Sequence, residues 1–197
     1  MTKKLFLIGV LALVVAFPLT FISAADYLPK DKQGVGNVVV SGPEDYSNLY
    51  VGGGSVVINK DIRGDLFVAG GSLNVAGKTE KDLFAAGGNI TIASPIGEDA
   101  RLAGGNIVIN APIKGDTLVA GGTILISRDA DIGGDLWAAG GTLNITGDVA
   151  GDAKLAGGEI FINSKISGRL DARSEKLVFG PQSQVEGPIA YKGSEEA

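Results

Sequence analysis

The sequence predicts an all-β protein: a single parallel β-helix, or β-solenoid, of 17-residue coils. Three observations predict it. A 17-residue unit recurs along most of the chain, apolar residues return at fixed places within it, and glycine punctuates it. The stretch "GDLFVAGGSLNVAGKTEKDLFAAGG", residues 64–88, spells the unit almost twice. A short fixed period of this kind marks repeats that stack on one another and share a continuous core.

The chain of 197 residues opens with "MTKKLFLIGVLALVVAFPLTFISAAD". Lys3 and Lys4 make a basic start, an apolar run of 13 residues follows from Leu5 to Phe17, and Pro18 breaks it. Ser23 and Ala25 are small residues placed before Asp26, the layout of a secretory signal peptide. The alternative is an uncleaved membrane anchor, because no charge occurs between Leu5 and Ala25 and ~20 apolar residues can span a bilayer. Both readings place residues 26 onward outside the cytoplasm, as an exported or cell-envelope protein. Residues 26–36 then read as a short linker, 37–193 as the β-helix domain and 194–197 as a polar tail.

Seven units start at Leu49, Leu66, Leu83, Ala100, Thr117, Leu136 and Ala153. Each has 17 residues except the fifth, which has 19. A looser eighth starts at Leu170, and a partial unit, "NVVVSGPEDYSN", precedes the first. Apolar residues occupy positions 1, 3, 8, 10 and 14, as in Leu136, Ala138, Leu143, Ile145 and Val149. The alternation of 8 and 10 with a different class at 9 is strand periodicity, and β-branched residues dominate position 10. Two glycines per unit oppose a helix. Each unit therefore reads as about three short strands around one coil, with about eight to nine coils in all.

Positions 5 and 6 are Gly-Gly in all seven units, from Gly53-Gly54 to Gly157-Gly158, and glycine recurs at position 16. The expectation is that the Gly-Gly pairs turn the chain between faces by reaching φ > 0. They are corners and not phosphate cradles, since no helix follows them.

Position 17 is Asp in six successive units: Asp65, Asp82, Asp99, Asp116, Asp135 and Asp152. Stacked coils would bring these carboxylates within about 4.8 Å of one another. One reading is structural, each carboxylate accepting backbone N–H bonds at a Gly-Asp corner. The other is a Ca²⁺ ladder, since Ca²⁺ takes several oxygen ligands. Position 2 should point outward, yet it carries Tyr50, Phe67, Phe84, Leu118 and Trp137, interrupted by Arg101. An aromatic ladder that stiffens the skin and a docking face are both open readings. Position 9, with Val108, Leu125, Phe161 and Val178, offers a second lateral contact row.

Composition removes several functions. The chain has no Cys and no His, so thiolate nucleophiles, imidazole bases and histidine metal sites are absent. The net charge of −5 disfavours nucleic acid as a partner. The acids recur once per coil and form no odd constellation, so an enzyme is not expected, and neither a cofactor nor a nucleotide is. The ends carry further information. Pro181 and Pro188 break the register near the C-terminus, with Lys192, Glu195 and Glu196 beyond, which reads as partial capping. At the other end Val38, Val39 and Val40 begin a coil with little ahead of it, so Val38 and Val40 are candidate residues of an end-to-end contact.

Units such as "GGTLNITGDVAGD" follow a pattern close to GGxLxIxGxIxGD. In this the chain resembles the bactofilins, bacterial polymer-forming cytoskeletal proteins, over roughly residues 37–193. The resemblance implies a right-handed, three-sided β-helix that assembles end to end into a homopolymer without nucleotide. It also implies membrane association, here through the N-terminus, and a role in organising the cell envelope. Typical members work on the cytoplasmic side, whereas this chain reads as exported. The alternative is a monomeric cell-surface solenoid that binds envelope glycan or a protein partner, with Tyr50, Phe67, Phe84 and Trp137 as contact residues.

Overall fold

The structure is a computed structural model that describes residues 26–27 and 36–193. Every regular element among them is a strand. In chain order these are β1 (Asp26–Tyr27), β2 (Asn37–Val40), β3 (Leu49–Ile58), β4 (Leu66–Val75), β5 (Leu83–Ile92), β6 (Ala100–Ile109) and β7 (Thr117–Ile126). They continue as β8 (Leu136–Ile145), β9 (Ala153–Ile162), β10 (Lys165–Ile166), β11 (Leu170–Phe179), β12 (Gln184–Val185) and β13 (Ile189–Gly193).

The eight long strands begin the eight units, here called coils 1 to 8. Each pairs in parallel with its equivalent in the next coil, residue for residue: Leu66 on Leu83, Phe67 on Phe84, Val75 on Ile92. The sheet runs from β1 through β3 to β9, then β11 and β13, with β2 also on β3. The chain is thus a β-solenoid of about nine turns, as the repeat predicts. Asp26 and Tyr27 pair with Leu49 and Tyr50, so the ladder already starts inside the stretch that reads as a linker.

Burial explains how one ten-residue strand makes two faces. Positions 1, 3, 8 and 10 are all buried in coils 1 to 7. In a straight strand, residues five apart point to opposite sides. Positions 3 and 8 both point inward because the strand bends at Gly-Gly. A third ladder closes the coil through single parallel bridges at position 14, from Tyr46 and Ile62 through Thr79, Ile96, Ile113, Ile132 and Val149 to Ile166. Five side chains per coil enter one continuous core, in which Leu49, Ile58, Ile109 and Ile145 have no exposed surface. At ~1.5–3 kcal/mol for each buried aliphatic side chain, this stack is the main source of stability.

The glycines act differently from the expectation. Among the described glycines only Gly42, in the turn after β2, has a left-handed φ, at 112°. The Gly-Gly pairs are required by close approach. A Cβ on Gly88 would lie 2.8 Å from the carbonyl oxygen of Gly71 in the coil before, and one on Gly140 would lie 2.5 Å from that of Gly121. The bend brings backbone against backbone, and no side chain fits between.

The two extra residues of coil 5 leave the ladders intact. Arg128 and Asp129 form a tight turn closed by Ala130 N–H donating to Ser127 C=O at 3.0 Å. Ile132 still bridges Ile113 and Val149. Coil 8 carries the same insertion at the same corner. Pro181 and Gln182 form the turn, with Ser183 N–H donating to Gly180 C=O at 3.2 Å. Val185 then pairs with Ile166, and Ile189 with Leu170. The prolines therefore do not break the register: Pro181 sits in an excised turn, and Pro188 still offers its carbonyl to Leu170 N–H at 3.0 Å.

Candidate functional site

The Gly-Asp edge is a continuous hydrogen-bonded ladder. Asp116 N–H donates to Asp99 Oδ1 at 2.9 Å, Asp135 to Asp116 at 2.8 Å, and Asp152 to Asp135 at 2.8 Å. Asn48 begins the series by accepting from Asp65 N–H at 2.7 Å, and Arg169 N–H ends it on Asp152 at 2.7 Å. Each Asp thus binds the backbone of the next coil at a place where the sheet ladder is interrupted.

Glycine at position 16 makes room for this bond. A Cβ on Gly115, Gly134, Gly151 or Gly168 would overlap Oδ1 of the Asp in the coil before, the same oxygen that accepts the N–H. Where position 16 is not glycine, the bond lengthens. It is 3.3 Å from Asp82 to Asp65, where Lys81 stands, and 3.0 Å from Asp99 to Asp82, where Glu98 stands. One oxygen of each carboxylate is therefore committed to backbone, which is the structural reading. Among the described residues no group of three acidic side chains could hold a metal ion.

A second, sparser ladder at position 13 went unread in the sequence. Lys78 N–H donates to Asp61 Oδ1 at 2.8 Å, and Lys165 N–H to Asp148 Oδ1 at 2.8 Å. Its signal is Asp immediately before the β-branched residue of position 14, in Asp61-Ile62, Asp131-Ile132 and Asp148-Val149.

The aromatic row at position 2 is half-buried and stacked. The rings of Tyr50 and Phe67 lie 4.3 Å apart at 6°, and those of Phe67 and Phe84 lie 4.5 Å apart at 5°. Arg101, an interruption in the sequence, caps the stack with its guanidinium 5.1 Å above Phe84. The same guanidinium binds Asp99 Oδ2 at 3.0 Å and Asp82 Oδ2 at 3.4 Å. It joins the aromatic row to the Asp ladder. The faces of these rings are stacked on one another.

Farther along the row Trp137 stands with Lys154, whose Nζ lies 5.6 Å from the indole centroid. Beside them runs a groove of about 230 Å³ lined by Trp137, Ala139, Lys154, Ala156, Asp171 and Arg173, with Ala138 and Leu155 beneath.

The two ends of the solenoid differ. Val38 and Val40, the candidate end-contact residues, point into the core and are 3% and 1% exposed. They are core residues of the first turn, and only Val39 between them faces outward. At the C-terminal end, residues at core positions are open instead. Phe179 at position 10 is 45% exposed, and Ile189 and Tyr191, at positions 1 and 3 of the last turn, are 55% and 49% exposed. Residues Lys176 to Phe179 pair with β9 on one side, while β13 ends at Gly193 and does not reach their other edge. This end was missed because its residues obey the repeat. Among the described residues no further complete coil stacks on them.

These features define a class: a parallel β-solenoid repeat protein whose outward rows are ladders and whose C-terminal end leaves core positions uncovered. No family model matches the chain, and no curated protein or solved structure matches it either. Among the described residues no helix is long and apolar enough to cross a membrane. The N-terminal segment on which the export reading rests, residues 1–25, lies outside the described residues, as does the tail at 194–197.

Proposed function

We propose that the chain is a non-enzymatic, self-assembling scaffold of the bacterial cell envelope, similar in this to the bactofilins. The observation that carries the reading is the open C-terminal end. Phe179, Ile189 and Tyr191 occupy positions that every earlier coil buries, beside β11 and β13, the last strands of the described sheet. A second solenoid stacked there would bury one apolar layer and continue the ladders, the usual fate of an exposed sheet edge. Assembly of this kind uses no nucleotide. Contact along the aromatic row would add lateral bundling.

Negative-stain electron microscopy and sedimentation of the purified chain test the reading. Filaments are expected at rising concentration without nucleotide, and they should persist in moderate salt because apolar contact is little screened. Changing both Phe179 and Ile189 to Lys should shorten or abolish them while the circular dichroism of the monomer stays that of β-structure. Lys at Val38 and Val40 would instead test the core. A wild-type chain that remains a monodisperse monomer at high concentration refutes assembly. The second reading, a monomeric solenoid that binds glycan or protein, then stands on the Trp137 groove.

A further inference from the structure

We propose that the sheet face formed by positions 7 and 9 pairs with the same face of a second copy of the chain, the two solenoids running antiparallel about a two-fold axis between coils 3 and 4. The proposal goes beyond end-to-end assembly and does not depend on it. Its basis is where the charges lie. The twelve side chains at positions 7 and 9 of coils 1 to 6 alternate with buried ones and so point outward. All are exposed or half-buried, yet none is charged. Positions 13 and 15 of the same coils carry seven charged residues, among them Asp61, Arg63, Lys114 and Asp148. Charge spread over a surface keeps copies of a protein apart. This face carries Ser, Thr and Asn instead, with Val57, Val108 and Leu125 among them.

Spacing and polar groups select a second copy as the partner. In-register parallel strands repeat each outward row every ~4.8 Å, and another copy is sure to repeat its own rows at the same distance. At the centre of the face, Asn106 Nδ2 donates to Asn89 Oδ1 at 2.9 Å. Among the described residues Asn89 Nδ2 and Asn106 Oδ1 have no partner. The two-fold axis sets coil 3 of each copy against coil 4 of the other, so each free amide donor faces a free acceptor. Farther out it sets Ser72 opposite Thr123 and Ser55 opposite Thr142, and no charge meets a like charge. Coil 7 then lies over the first turn of the other copy. There Val39, at position 9 beside Val57 and 54% exposed, is covered by Phe161. Eight matched turns of ~4.8 Å, by a strand half ~13 Å wide, cover about 500 Å² on each copy and about 1,000 Å² in all. That meets the lower bound of a specific interface, so pairing is expected at high protein concentration.

The chain has no Cys, so a single thiol can be placed at a chosen coil. Ser55→Cys and Thr142→Cys are prepared as separate full-chain variants, and a monofunctional maleimide confirms that each thiol is accessible. A short bismaleimide is expected to cross-link a mixture of the two into dimers. Either variant alone should give at least about tenfold less dimer, because five coils, ~24 Å, separate its two thiols across the axis. Added to the same pair, Asn89→Lys with Asn106→Lys crowds like charges at the centre and should lower the dimer at least about tenfold. Ala150→Lys with Ser167→Lys, on the charged side, should leave it unchanged. No dimer in the mixture overturns the proposal. Equal dimer from one variant alone, the mark of parallel pairing or random collision, overturns it as well. An equal loss in Ala150→Lys with Ser167→Lys would reduce the effect to general repulsion and overturn it too. Phe179→Lys with Ile189→Lys should shorten filaments and leave the cross-link, so either contact can fail without the other.

Discussion

Gly134→Ala tests the pairing of glycine and aspartate most directly. The new Cβ would overlap Asp116 Oδ1, so the carboxylate must leave. Its hydrogen bond from Asp135 N–H, 2.8 Å long and part-buried, is then lost. A bond to a charged acceptor is worth about 1.5–3 kcal/mol, and overpacking against the backbone of Gly115 adds about 1–3 kcal/mol. Gly134→Ala should therefore cost about 3–5 kcal/mol. Asp116→Ala loses the same bond without overpacking and should cost about 1.5–3 kcal/mol. The bond can be lost only once. The double variant should fall short of the sum by about the bond itself, a coupling of about 1.5–3 kcal/mol. Urea unfolding followed by Trp137 emission and by circular dichroism measures this. At an m-value of ~2 kcal/mol/M, a loss of 3 kcal/mol moves the midpoint by about 1.5 M. Fully additive effects would refute the idea that glycine is there to admit the carboxylate.

Three further outcomes are expected. Thr117 is fully buried and its Oγ1 has no hydrogen-bond partner, so Thr117→Val should raise stability by about 1 kcal/mol, and a lowered urea midpoint would contradict this. Ile145→Ala, which empties a site packed between two coils, should cost about 2–5 kcal/mol, more than Asp116→Ala; the reverse order in the same melts would overturn the assignment of the core. Added Ca²⁺ should leave the melting temperature unchanged, because one oxygen of each ladder Asp already holds a backbone N–H; a rise of many degrees reversed by chelator would restore the calcium reading.

The coil was legible in the sequence because inward positions impose one chemistry on every repeat. Ile58, Ile92, Ile109 and Ile145 share a site, and the repeat, with its one 19-residue unit, places them there. The role of the glycines was not legible. A glycine needed for close approach and one needed for positive φ are the same letter, and only the neighbouring coil's carbonyl at Gly71 or Gly121 tells them apart. Coil 8 looked irregular because Pro181 and Gln182 were counted as part of the repeat, when they sit outside it as a turn. Arg101 looked like a gap in the aromatic row. Its partners, Phe84, Asp82 and Asp99, lie on two different rows that only stacking brings together. The end residues Phe179 and Ile189 carry no local signal, since their exposure depends on how coils stack and not on the residues beside them.

The corner that carries Arg128-Asp129 and Pro181-Gln182 sets a rule for changing the length of this chain. Both dipeptides loop out, and the pairing on either side continues as if they were absent. The two turns also touch, Arg128 Nη2 donating to Gln182 Oε1 at 2.9 Å across the intervening coils. Every other coil has the same corner, one strand spacing of about 4.8 Å from the next. A foreign peptide inserted after Asn110 or Thr146 would meet the same geometry. The solenoid is in that sense a ruler with addressable marks, on which two inserted groups can be held at a chosen multiple of one coil's height.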